Sequence, residues 1–344
     1  MRKFFSRLPV ANLPIDTFVV LLVSTAAFAC LLPAHGEGAV LAGHGVTLAI
    51  ALLFFLHGAR LAPQAALAGA RNGRLHLLVF LSTFALFPAL GMGARALFPH
   101  LLPPELWIGV ILLCALPSTV QSSIAFTSIA RGNVPAALCS ATLSNLIGIV
   151  LTPVLVGFLL STGQGGGHGG VSVHAVGDIL AQLLLPFAAG QALRPWIGAW
   201  AERNRGLLSF VDRGSILLVV YAAFSEGMVA GIWHTIDVAT LARLFVVDAT
   251  LLAAVLGATT LLSRRLGFTR ADEITIVFCG SKKSLASGLP MASVLFAGSS
   301  VGLVVLPLML FHQLQLMVCA TLARRYAADR REAVPDARAV PAAG

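Results

Sequence analysis

The 344-residue sequence predicts an all-α polytopic membrane protein of ten transmembrane helices, arranged as two inverted five-helix repeats with helices four and nine broken. Three observations carry that reading. Hydrophobic residues make up 58% of the chain and charged residues only 11%, where a soluble surface needs about a quarter. Apolar runs near the ~20 residues that span a bilayer recur along the whole length. Arginines and lysines also fall alternately in the gaps, so that one side of the membrane collects nearly all of them.

The spans read as about 15–33, 39–60, 75–96, 105–131, 134–160, 173–194, 207–231, 238–263, 272–297 and 299–323. A turn at Arg131-Gly132-Asn133-Val134-Pro135 divides the fourth from the fifth, with Pro135 suited to a first helical turn. Gly298-Ser299-Ser300 divides the last two. The basic N-terminus is followed by a break at Asn12–Asp16 and by many further spans, which argues against a cleaved signal peptide. With the N-terminus inside, cytoplasmic gaps hold Arg60, Arg71 and Arg74, then Arg131, then Arg194 to Arg213, then Arg264, Arg265 and Arg270, then the arginine-rich C-terminus. Only Arg95 and Arg243 fall outside. Both termini are therefore expected on the cytoplasmic side of the membrane.

The glycine-rich stretch "STGQGGGHGG" (161–170) marks the midpoint. It sets the organisation: a first repeat over 1–162, an external linker over 163–172, a second repeat over 173–326 and a cytoplasmic tail over 327–344. Five spans on each side of one linker make the halves inverted, a common transporter plan. His168 in the linker has no second metal ligand nearby, and no metal site is expected. The five cysteines lie inside apolar runs without ligand spacing and read as small buried groups.

Matching helices of the two halves are interrupted. Span four carries "CALPSTVQSSIAF" (114–126) and span nine "FCGSKKSLASGLP" (278–290). Proline, glycine and clustered hydroxyls at mid-membrane leave main-chain groups that only protein or a watery cavity can satisfy. Paired breaks of this kind point to a substrate site, with half-helix N-termini favouring an anion. The candidate binding residues are Thr119, Gln121, Ser122 and Ser123 at the first break, and Ser281, Lys282, Lys283 and Ser284 at the second. Asn145 on span five is a further candidate. An ammonium at the bilayer centre costs at least ~2.5 kcal/mol, and successive helical residues diverge by about 100°, so the two lysines face different surroundings. The bland alternative for either is snorkelling or a structural pair. Asp248 and Glu226 are the possible charge partners, and Asp178 is a third acid within a span.

At these residues the chain resembles the bile acid:sodium symporter family, through "PSTVQSSIAFTSIARGNVPAALCSATLSN" (117–145) and "CGSKKSLASGLPM" (279–291). The second stretch is similar to the branch that holds the seventh mammalian member and bacterial symporters. The resemblance implies a panel of spans 1, 2, 6 and 7, a core of the others, and alternating access. It also implies, for sodium-coupled members, a Glu and a Gln-Asn pair at the span-nine break, a Ser-Asn pair in span four, and hydroxyls four and eight residues past the Arg-Gly-Asn asparagine. This chain has Gly280-Ser281-Lys282-Lys283-Ser284-Leu285, Ser122-Ser123, and Ala137 and Ala141 there. It has lost acid and oxygen ligands and gained positive charge, which opposes a bound cation.

The expected function is secondary transport of a small organic anion. Lys283 would serve either as a built-in cation in place of sodium or as a counter-ion of the substrate, and a buried lysine also offers a group for proton coupling. The alternative is a transport-fold regulator or scaffold without transport, and a channel is weaker because no ring of like charges appears. No GxxxxGK[ST] loop and no His/Cys cluster is present, so neither an enzyme nor a cofactor is expected. The basic residues form no face with stacking aromatics, which excludes nucleic acid as a partner. The partners that remain are the substrate and the lipid bilayer.

Overall fold

A computed structural model describes residues 17–60, 72–162, 173–229, 231, 236–296 and 301–332. The glycine-rich linker with His168, the tail beyond 332 and the side chain of Asp178 lie outside the described residues. The described chain is helical, with no strand among its residues. In order the helices are α1 (Thr17–Leu31), α2 (Glu37–Arg60), α3 (Gly73–Leu97), α4 (Pro104–Ala115), α5 (Gln121–Ile129) and α6 (Val134–Thr162). They continue as α7 (Val173–Arg203), α8 (Arg205–Val229), α9 (Val238–Arg265), α10 (Arg270–Gly280), α11 (Leu285–Leu295) and α12 (Val301–Glu332).

Six of these, α2, α3, α6, α8, α9 and α12, are long and apolar enough to cross a membrane; α1 and α4 carry shorter apolar runs. Large apolar side chains such as Leu41, Leu77, Phe158 and Phe245 stand exposed on them. That is the surface of an integral membrane protein, whose solvent is lipid. Where the sequence predicts spans four and nine, the chain leaves helix between Ala115 and Gln121 and again between Gly280 and Leu285.

The chain divides into two compact units. One contains α1, α2, Ala181–Asp237 and Leu289–Val305. In it two glycines let α2 and α7 approach main chain to main chain. A Cβ on Gly58 would lie 2.1 Å from the Phe187 carbonyl oxygen, and one on Gly190 would lie 2.0 Å from that of Phe55. Small residues at helix crossings are the usual means of association in lipid. Arg60 bonds Asp212 at 2.6 Å beside this crossing.

The other unit contains α3 to α6, Val238–Gly288 and Leu306 onward. The Arg-Gly-Asn turn fastens its parts. Arg131 takes the left-handed backbone (φ 58°), and Gly132 packs where a Cβ would meet Ile274 and Thr127 at 2.7 Å. Asn133 then donates from its side chain to Asp272 (2.8 Å) and from its main chain to the Thr275 hydroxyl (3.0 Å). Asp272 belongs to the first turn of α10, whose N-cap Thr269 accepts from the Asp272 amide. The turn between α5 and α6 is thereby pinned to the start of α10.

Candidate functional site

A helix that stops inside the membrane leaves its last carbonyls without donors, and each such group buried away from water costs energy. Both breaks lie in the second unit, and each supplies side chains that complete the other. At the first break Pro117 has no N–H to offer the preceding turn, and the Ser118 amide is turned to the Ser144 hydroxyl at 3.0 Å. The carbonyl of Leu113 accepts from the Leu116 amide, and that of Ala115 from the Thr152 hydroxyl at 2.9 Å. The carbonyls of Cys114 and Leu116 accept from the Lys283 ammonium at 2.7 and 2.8 Å. The Pro117 carbonyl accepts from the Ser284 amide at 2.9 Å, and that of Ser118 from the Asn145 side chain at 2.6 Å. Every carbonyl from Leu113 to Ser118 is occupied.

The second break is closed in return. Ser118 donates to the Cys279 carbonyl at 2.6 Å and Ser123 to that of Phe278 at 3.2 Å. Ser281 caps its own helix through the Val277 carbonyl at 2.6 Å. The amide of Gln315 on α12 holds the main chain of Lys283 on both sides, accepting from its N–H at 2.8 Å and donating to its carbonyl at 2.9 Å.

The third proton of the Lys283 ammonium goes to the Thr83 carbonyl at 2.8 Å. That acceptor is free for a local reason. Residues Ser82–Leu86 form a single π turn within α3, in which the Phe87 amide reaches Ser82, and Pro88 has no N–H to give Thr83. A proline in α3 thus opens the acceptor that a lysine 200 positions later fills. The ammonium also lies 4.2 Å from the centre of the Phe87 ring, a favourable cation–π placement. With three donors on three carbonyls, a fully buried Lys283 is held in place without an anion.

Lys282 differs. It is equally buried, but its ammonium has no hydrogen-bond partner and stands 3.8 Å from the Phe126 ring centre and 5.6 Å from that of Phe278. Asp248 on α9 is buried with both carboxylate oxygens unbonded. The expected pairing of Asp248 with a lysine is not made, because carbonyls have taken all three protons of Lys283. Glu226 is exposed on α8, in the other unit.

The remaining predicted residues sort by exposure. Thr119 bonds Ser122 at 2.7 Å and Ser123 at 3.1 Å. Ser284 bonds Ser287 at 3.1 Å, and Ser287 donates to Asn145 at 2.9 Å. Asn145 thus joins the first break to the start of α11. Gln121 is exposed at the first turn of α5, and Ser122 and Asn145 are partly so. Ser123, Ser281 and Ser284 are buried. The arrangement leaves the Gln121 amide and the Ser122 hydroxyl accessible to a small polar ligand at the break whose carbonyls Lys283 caps. Sequence reasoning missed Ser118, Ser287, Thr152 and Gln315. Gln315 sits with His312 in an apolar helix ("FHQLQL") and bonds it at 2.9 Å, and that polar pair was the available signal.

Broken apolar helices that close each other around a buried cation are the architecture of a membrane transporter. The chain belongs to the SBF-like CPA transporter family, whose profile matches residues 16–328. It is 56% identical over 318 residues to an uncharacterized protein of Pseudomonas aeruginosa, covering 92% of this chain and 95% of that one. It is 52% identical over 312 residues to YfeH of Escherichia coli, provisionally named a symporter, covering 91% and 93%. The mouse protein named sodium/bile acid cotransporter 7 is 29% identical over 283 residues, covering 80% and 81%.

Proposed function

We propose that this protein is a secondary active carrier that moves a small organic anion by alternating access across a bacterial inner membrane. It would cross ten times as two inverted five-helix repeats over 1–162 and 173–326, with both termini in the cytoplasm. The observation that carries the reading is the saturated ammonium of Lys283. Its placement supplies at the helix breaks the positive charge that a sodium-coupled relative would draw from bound ions, so binding here needs no sodium. Gln121 and Ser122, exposed and half-exposed at the first break, are the proposed ligand contacts, with Asn145 holding that break through the Ser118 and Ala141 carbonyls. Lys282 and Asp248 are the groups available for a coupled proton or for the substrate itself.

The second reading, a transport-fold regulator or scaffold, draws support from the same saturation, since a crossing so completely bonded stands without a ligand. The unbonded Lys282 and Asp248 oppose it, because buried charges kept for structure are ordinarily paired. The deciding experiment is thermal stabilisation of the purified protein by a panel of organic anions, followed by uptake into proteoliposomes, with sodium replaced by choline. The expected result is stabilisation and uptake by at least one anion, equal in the two salts. Gln121→Leu should abolish the stabilisation and leave the folded yield unchanged. A steep sodium requirement overturns the built-in cation, and no response to any anion favours the scaffold.

A further inference from the structure

A second concave feature of the same unit plays no part in this site. Between α9 and α12 lies an open groove of about 970 Å³. Its walls are apolar, with Leu256 on α9 facing Met317, Val318 and Leu322 on α12. Its end is basic, formed by Arg264, Arg270 and Arg325. Leu256 and Arg264 are eight residues apart on one helix, so the apolar trough runs about 12 Å before it meets the arginines.

The charge at that end is not cancelled from within. Glu273 accepts from Arg264 at 3.1 Å and from Arg270 at 2.6 Å, and Arg270 also lies 4.6 Å from the centre of the Tyr326 ring. One acid therefore serves two arginines. Arg325 is exposed and has no acidic partner among the described residues. The mouth thus gathers Arg264, Arg270 and Arg325 towards the ends of two long apolar helices. An occupant must combine an apolar tail of trough length with an anionic head, which is the chemistry of an acidic phospholipid.

We infer that this groove binds an anionic phospholipid, with one acyl chain along Leu256, Met317 and Val318 and the phosphate between Arg264 and Arg325. Gly257 gives a clean probe of the trough. It lines the groove, and a Cβ there would have nothing within 4 Å, so the side chain of Gly257→Phe starts in open space and projects into the trough.

The test is thermal stability of the delipidated full-length protein titrated with dioleoylphosphatidylglycerol, dioleoylphosphatidylcholine, or glycerol 3-phosphate. Phosphatidylglycerol should stabilise it at lower concentration than phosphatidylcholine, and glycerol 3-phosphate should not. Arg325→Gln and Arg264→Gln should each weaken the phosphatidylglycerol response about fivefold, the equivalent of ~1 kcal/mol per basic residue at the surface. Gly257→Phe should weaken it further with its lipid-free melting unchanged. Equal stabilisation by phosphatidylcholine overturns the headgroup assignment. Full stabilisation by glycerol 3-phosphate overturns the acyl-chain assignment. A response unaltered in whichever of these variants fold overturns the site.

Discussion

Lys282 and Lys283 are neighbours in sequence and equally buried, yet replacing each by methionine should have opposite effects. In Lys283→Met the carbonyls of Thr83, Cys114 and Leu116 all lose their donor. An orphaned buried acceptor costs about 1–3 kcal/mol, so three cost roughly 6 kcal/mol at the midpoint. Removing a charge from mid-membrane relieves about 3 kcal/mol. The net loss is about 3 kcal/mol. In Lys282→Met no carbonyl is orphaned, since that ammonium has no hydrogen bond to lose. The same relief then opposes only the ring contacts with Phe126 and, farther off, Phe278, worth ~0.5–2 kcal/mol, and the variant should be neutral or more stable. Melting of wild type and both variants in one detergent reads the difference. Lys283→Arg should recover only part of the loss, because a planar fork cannot direct three donors as a tetrahedral ammonium does. Equal shifts for the two methionine variants would refute the capping role assigned to Lys283.

Two further outcomes are expected. Gly58→Ala and Gly190→Ala should each destabilise by about 3 kcal/mol or more, because a methyl carbon at 2.0–2.1 Å from a carbonyl oxygen forces α2 and α7 apart. Folded yield in membranes reads this, and normal yield for both would refute the close crossing. Asp248→Asn keeps the side chain's shape and removes a titratable carboxyl whose oxygens make no hydrogen bond among the described residues. It should hold stability within about 1 kcal/mol while uptake falls, and undiminished uptake would show that the carboxylate takes no part in transport.

The places where helices break were legible in the sequence, because proline, glycine and hydroxyl clusters in an apolar run have few other uses. The lysines were legible as an anomaly for the same reason. What the lysines touch was not. The acceptors of Lys283 are main-chain carbonyls, and these carry no residue signature. The acceptor in α3 depends on a π turn and on Pro88, neither of which the apolar pattern of span three signals. Asp248 invited a lysine partner on charge alone, and the structure gives that lysine to the backbone instead. Ser123 was predicted to line a cavity; its hydroxyl is buried and spent on the Phe278 carbonyl. Asn145, a binding candidate in sequence, ties the first break to the start of α11.

The capping of α4 by Lys283 also sets a schedule for biosynthesis. The Cys114 carbonyl and its donor are 169 residues apart in the chain. At about 5–20 residues per second, the ribosome needs roughly 10–30 s to deliver the lysine after the broken helix has emerged. Throughout that interval the end of α4 must borrow its donors from water, from the insertion machinery or from lipid headgroups. The first break thus reaches its final form only after Lys283 has been synthesised and has met the end of α4.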